Sequence, residues 1–311
     1  MKLGVLFSGQ GTQFVGMGLD FYQNHLLAKA KLDTYAKDLN LDLISLLNDS
    51  EKINDTRYTQ PLMVAVEMMI HDILKQEYNL KPHAYVGFSL GEYTAFYTSG
   101  FYQEKEILNL ISKRAELMQD AAKKHEGGMA AILQLEDQVI EALCQSVSGK
   151  EVVVAANYNA PGQLVISGDK ELIHQVVELA KEKGARRAVI LNVSGAFHSP
   201  YMKDAGKALK AYASTLEAKK PHTQLYANST AKVLDPNLIL EEIETQIQKP
   251  VYFKQTIENM VKEGYTHFLE IGPGSVLSGL VRKINPELKV ANISTFEDYK
   301  NIKEFIYELK R

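Results

Sequence analysis

The stretch "VGFSLGEYTAFYTSG", residues 86–100, sets Ser89 between Gly87 and Gly91. A serine hydroxyl acts as a nucleophile when a base removes its proton and fixed donors await the charge on the attacked carbonyl. Ala84, Tyr85, Val86 and Phe88 read as the end of a buried strand, and Leu90 to Tyr97 as the start of a helix. A sharp strand-to-helix turn needs residues without bulk beside the serine, which the two glycines supply. Such an elbow lifts Oγ out of the sheet and aims the helix N-terminus at whatever binds there. Short Gly-x-Ser-x-Gly matches also arise by chance, so the alternative of an ordinary turn serine stands beside this reading.

A nucleophile needs a base, and His198 in "VSGAFHSPYMKDAGKALKAY" is the candidate. Pro200 predicts a helix start just beyond it, whose positive end favours the neutral imidazole that a base requires. A histidine that merely caps or packs a loop is the bland alternative. In "EILNLISKRAELMQDAA" an apolar stripe runs through Ile107, Leu110, Ile111, Met118 and Ala121, and helical spacing puts Arg114 in its middle. A guanidinium on an apolar face needs an anionic partner, because it cannot escape burial by losing its proton. That partner is either an internal Asp or Glu or a substrate carboxylate held in a fork. The loop "SGQGTQ", residues 8–13, lacks the Walker lysine and the dinucleotide glycine spacing. Its backbone N–H groups could serve an oxyanion hole, or the loop could be a plain tight turn.

Elements alternate in the order needed to hold these groups. "KLGVLF" predicts a first strand, and "TQPLMVAVEMMIHDILKQ" a helix with Pro61 at its first position. The elbow and the helix "EKEILNLISKRAELMQDAAKK" follow, which points to a parallel α/β sheet. Between Gly127 and Asn192 the order becomes βαββαβ: "GMAAILQ", "EDQVIEALCQSV", "EVVVAANYN", "GQLVISG", "KELIHQVVELAKEKG" and "RRAVILNV". That is the split pattern of a ferredoxin-like unit. Strand–helix grammar resumes in "THFLEIGPGSVLSGLVRK", so the expectation is a discontinuous large domain, 1–124 and 193–311, carrying an inserted small domain, 125–192.

The 311 residues are 45% hydrophobic and 23% charged with net charge −3, which gives no electrostatic case for nucleic acid. Apolar runs fall well short of a membrane span, and the N-terminus lacks a signal-peptide pattern, so a cytoplasmic protein is expected. The single cysteine, Cys144, excludes an internal disulfide framework and reads as a core thiol among Val139, Ile140, Leu143 and Val147. The eight histidines show no ligand spacing, so no metal is expected.

Together "FSGQGTQFVGMG", "GFSLGEYTA", "KRAELM", "NYNAPGQLVISG", "VSGAFHSPYM", "QIQKPVYF" and "EIGPGSVLSGLVRK" resemble, in order, the motifs of the malonyl-CoA:acyl carrier protein transacylases, the acyltransferase family of fatty-acid and polyketide synthesis. The resemblance implies an α/β-hydrolase-like large domain with a ferredoxin-like small domain. It implies Ser89 as nucleophile, His198 as base oriented by the backbone carbonyl of Gln246, and an oxyanion hole from the N–H groups of Gln10 and Leu90. Arg114 would grip the malonyl carboxylate, with Gln60, Asn159 and Phe197 lining the cleft. It implies ping-pong transfer from malonyl-CoA to the phosphopantetheine thiol of acyl carrier protein, by a monomer with no metal or redox cofactor. Phe88 stands where the family often has histidine, and Ser8 where proline is frequent. Phe197 matches the malonyl-selecting form. Arg186 and Arg187 are candidates for meeting an acidic carrier protein. A serine esterase or thioesterase, a trans-acting polyketide acyltransferase and a non-catalytic binding module are the rival readings. Ester hydrolases usually carry their histidine late, after an acid; here 113 residues follow His198.

Overall fold

The computed structural model describes residues 1–309. Among these, the strands in chain order are β1 (Lys2–Phe7), β2 (Ala84–Gly87), β3 (Gly127–Leu133), β4 (Val153–Ala160), β5 (Gln163–Asp169), β6 (Arg187–Ile190), β7 (Gln224–Tyr226), β8 (Tyr265–Ile271) and β9 (Lys289–Ile293). They form a parallel sheet in the order β7-β2-β1-β8-β9 and a separate antiparallel sheet in the order β4-β5-β3-β6.

The parallel sheet is covered on both faces, which explains why β1 is a continuous apolar run. Leu3, Val5 and Phe7 enter one core with the helices Thr56–Tyr78 and Glu104–Lys124, while Leu6 enters another with Phe253, Ile257, Leu277 and Val281. The antiparallel sheet has the predicted β-α-β-β-α-β order, with helices Asp137–Val147 and Lys170–Glu182 packed into its core. Cys144 lies in that core, where burial pushes its thiol up to about 12. The antiparallel sheet is tied to the segment before the helix Phe253–Lys262, where Tyr158 N–H donates to the Val251 carbonyl at 2.9 Å and Val251 N–H to the Ala156 carbonyl at 2.8 Å.

Three boundaries differ from the sequence expectation. The helix containing Pro61 begins at Thr56, because Asp55 caps it by accepting from Arg57 N–H, so Pro61 lies inside the helix and not at its first position. The last strand of the antiparallel sheet stops at Ile190, and Leu191–Val193 leave it to line a cavity. Pro200 opens a 3₁₀ turn, Pro200–Met202, before the helix Lys203–Ala213. No helix among the described residues is long and apolar enough to cross a membrane.

At the end of β2 the chain turns directly into the helix Gly91–Ser99, and Ser89 takes φ +53°, a left-handed conformation costly for a residue with a side chain. A Cβ on Gly87 would lie 1.9 Å from Glu92 N, and one on Gly91 2.4 Å from the Phe7 carbonyl oxygen. Both obstacles are backbone, so neither can swing aside. Gly87→Ala should therefore cost about 3 kcal/mol or more of stability in denaturant unfolding, as overpacking does. A loss within about 0.5 kcal/mol, the range of neutral surface changes, would show that the elbow relaxes freely.

Candidate active site

The elbow opens into a cavity of about 530 Å³ between the two sheets, lined by Gln10, Gln60, Phe88, Ser89, Arg114, Asn159, Phe197 and His198 among others. Ser89 and His198, 109 positions apart, are joined by a 2.8 Å contact between Oγ and Nε2. The other ring nitrogen, Nδ1, faces the backbone carbonyls of Gln246 at 2.9 Å and Lys249 at 3.2 Å. Carbonyl oxygens only accept, so Nδ1 carries the proton and Nε2 is left with its lone pair toward the serine. His198 itself has φ +56° and is pinned by its N–H to the Ile247 carbonyl at 3.0 Å. Burial first, then the charge of Arg114, bring its pKa down to about 4. A 3₁₀ turn, Pro200–Met202, separates His198 from the helix Lys203–Ala213.

Arg114 is 1% exposed, in the middle of the apolar stripe of its helix. Its Nη1 donates to Gln60 Oε1 at 2.7 Å; its Nη2 donates to Ser89 Oγ at 3.0 Å and Gln246 Oε1 at 3.1 Å. The guanidinium also lies 5.2 Å from the centre of the Tyr93 ring, and Nε has no hydrogen-bond partner among the described residues. None of its hydrogen bonds goes to a carboxylate. Glu92 acts on it only through space, and burial pushes that carboxyl well above the usual range, toward its neutral form. An internal acid pair was one reading of the sequence; the structure places neutral amides there instead. A cation held by dipoles alone retains its appetite for an anion.

The loop Ser8–Gln13 is braced by Thr12 Oγ1 on the Gly9 carbonyl, by Gly11 N–H on Gln13 Oε1, and by Gln10 Nε2 on Thr56. Among the described residues, neither the Gln10 nor the Leu90 N–H donates to a protein acceptor. Gln10 lines the cavity, whereas the Leu90 side chain is buried in the core and only its backbone follows Ser89. Asn159 lines the cavity with Oδ1 unpartnered, and Phe197 lines it beside His198. Phe88 packs edge-on to Phe253 and lies against Gly9, whose Cβ would meet its ring at 2.7 Å. Ser8 is buried beside Glu270. Arg186 and Arg187 are exposed at the edge strand β6 and do not line the cavity.

Some participants carried no usable sequence signal. The Gln246 side chain donates from Nε2 to the Ser89 carbonyl at 2.6 Å while its Oε1 holds Arg114. Lys249 supplies the second carbonyl to His198, and Asn228 grips the elbow from the turn just beyond β7. Gln246 ends the helix Ile239–Gln246 and the other two lie on connections, so no periodicity marks any of them.

The family model described as "Acyl transferase domain" matches residues 5–297. The chain belongs to the acyl transferase domain family. A malonyl CoA-acyl carrier protein transacylase of Bacillus subtilis is 37% identical over 297 residues, 94% of this chain and 93% of that protein. The crystal structure of the transacylase of that name from Clostridium perfringens superposes with TM-score 0.95 at 34% identity, over 100% of this chain and 98% of that one. A solved complex of a type II PKS acyl-carrier protein with its malonyl-transacylase matches with TM-score 0.95 at 30% identity, over 98% of this chain and 100% of that chain. This acyl transferase domain thus shares the whole architecture of its relatives.

A histidine depressed to about 4 is neutral at pH 7 and stays a competent base well into the acid range. Labelling of Ser89 by a serine-directed fluorophosphonate should stay flat through neutral pH and fall only as pH drops through about 4. An inflection at the ordinary histidine value of 6.5 would contradict the buried, neutral His198. The linked stability has the same sign: it is full above pH 6.5 and is lost as pH falls toward about 4.

Proposed function

We propose that this chain transfers the malonyl group from malonyl-CoA to the phosphopantetheine thiol of acyl carrier protein through a malonyl-Ser89 intermediate. The observation that carries the reading is the shared position of Arg114: one guanidinium touches both the nucleophile and two neutral amides, so a carboxylate bound to it sits beside Ser89. The names of the relatives support the same activity.

In the first half-reaction His198 Nε2 takes the Ser89 proton while Oγ bonds to the thioester carbonyl carbon. The N–H groups of Gln10 and Leu90 receive the oxyanion. The carbon–sulfur bond then breaks, and His198 returns its proton to the departing CoA sulfur. In the second, His198 takes the proton of the carrier thiol, sulfur bonds to the ester carbon, and the carbon–Oγ bond breaks with the proton returned to Ser89. A malonyl carboxylate on Arg114 also cancels part of the charge that depresses His198, so the right substrate makes its own base stronger. Gln60 and Gln246 hold the fork, while Asn159 and Phe197 face the acyl arm. Backbone carbonyls stand where an ester hydrolase carries an acid.

We read the parallel sheet and its helices, residues 1–124 and 193–311, as an α/β-hydrolase-like catalytic domain. Residues 125–192 form a ferredoxin-like unit that walls the cleft through Asn159. The protein works as a cytoplasmic monomer without metal or redox cofactor, and Arg186 and Arg187 meet the acidic carrier.

Incubation with malonyl-CoA should add one malonyl group, seen by intact mass and mapped to Ser89, and a holo carrier protein should discharge it. A Ser89→Ala protein should form no adduct. Adduct formation that survives the substitution would reject the assignment.

A further inference from the structure

The parallel ladder between β2 and β7 pairs Ala84 with Gln224, Tyr85 with Leu225 and Val86 with Tyr226. Continued by two residues, that register would set Phe88 opposite Asn228. The main chain cannot continue there, because β2 turns up into the elbow at Gly87 and Ser89 adopts φ +53°. Backbone polar groups stranded at such a turn must find other partners or pay for burial. The Asn228 side chain provides them. Its Oδ1 accepts from Ser89 N–H at 2.8 Å, and its Nδ2 donates to the Gly87 carbonyl at 2.7 Å. An amide side chain offers the same donor and acceptor as a peptide unit, so it completes the ladder across the bend.

Asn228 is held as firmly as it holds. Its own N–H donates to Glu92 Oε1 at 2.9 Å, and its carbonyl accepts from Tyr252 N–H at 3.0 Å. Glu92 belongs to the elbow helix, so the contacts close a ring from Gly87 through Asn228 to Glu92 and back along the chain to Ser89. The residue is 3% exposed and lies outside the cavity lining, so it touches no substrate. Occupying the Ser89 N–H has a second effect: of the two successive amides at the elbow, only that of Leu90 remains unclaimed by the protein.

We propose that Asn228 is a positioning residue that fixes the strained backbone of Ser89, setting the direction of Oγ and reserving the Leu90 N–H for the oxyanion. The assignment rests on Ser89 as the nucleophile of the reaction proposed above.

The test compares wild type, Asn228→Ala and Asn228→Asp in malonyl-CoA kinetics, fluorophosphonate labelling of Ser89, thermal melting and amide hydrogen exchange of the peptide spanning Ser89. Alanine should lower kcat and labelling by ~10- to 100-fold, as small misplacements of reacting groups do, with KM nearly unchanged and faster exchange at the elbow. Aspartate keeps the shape and the Oδ1 acceptor but loses the donor to Gly87, so it should fall between the two, and it decides the matter if the alanine protein does not fold. Unaltered kcat and labelling in both variants would overturn the proposal. So would losses in kcat, KM and melting temperature that move together, since that is general damage and not positioning. Wild type that fails to acquire a malonyl group at Ser89 would instead reject the nucleophile itself.

Discussion

A guanidinium buried without a carboxylate is the constraint around which this site is built. Arg114 cannot shed its charge, and its helix carries it into an apolar core between the sheets. Two glutamine amides and the nucleophile share the burden, with an aromatic face alongside. Neutral dipoles stabilise a cation without cancelling it, so the arrangement is poised for an anion that only the cavity can deliver. The same charge presses on His198 and helps keep its ring neutral. Anion recognition and part of the depression of the base, after burial, thus come from one residue.

Gln246 is the joint between these functions. Its carbonyl orients the imidazole, its amide oxygen holds Arg114, and its amide nitrogen holds the Ser89 carbonyl. Nucleophile, base and guanidinium are therefore referenced to a single residue at the end of the helix Ile239–Gln246. Carbonyls in place of a carboxylate beside the histidine also spare the site a second charge. An aspartate there would compete for Arg114 and weaken its hold on an acidic substrate.

Much of this was legible from local grammar. The Gly87–Ser89–Gly91 spacing reports a steric requirement at backbone level, which the 1.9 and 2.4 Å approaches make concrete. Arg114 stood out because helical periodicity exposes a misplaced charge, and the βαββαβ order because strand and helix periods differ. The Asn228 contacts were invisible: they join positions 139 and 141 apart through a sheet register that no local pattern encodes. Pro61 misleads because a proline near an apolar run suggests a helix start, whereas the Asp55 cap ahead of it sets the true one. The Gln246 side chain stays hidden for a further reason, since the resemblance specifies its backbone carbonyl alone.

Arg114 is held ready for a substrate carboxylate, and the decisive measurement is kcat/KM for malonyl-CoA against acetyl-CoA in an Arg114→Ala protein. Malonyl transfer should lose about 2–5 kcal/mol, the range for breaking a desolvated charge pair. Acetyl transfer, which has no carboxylate to lose, should fall far less, and the melting temperature should barely move. Equal losses for the two substrates, accompanied by a lower melting temperature, would contradict it.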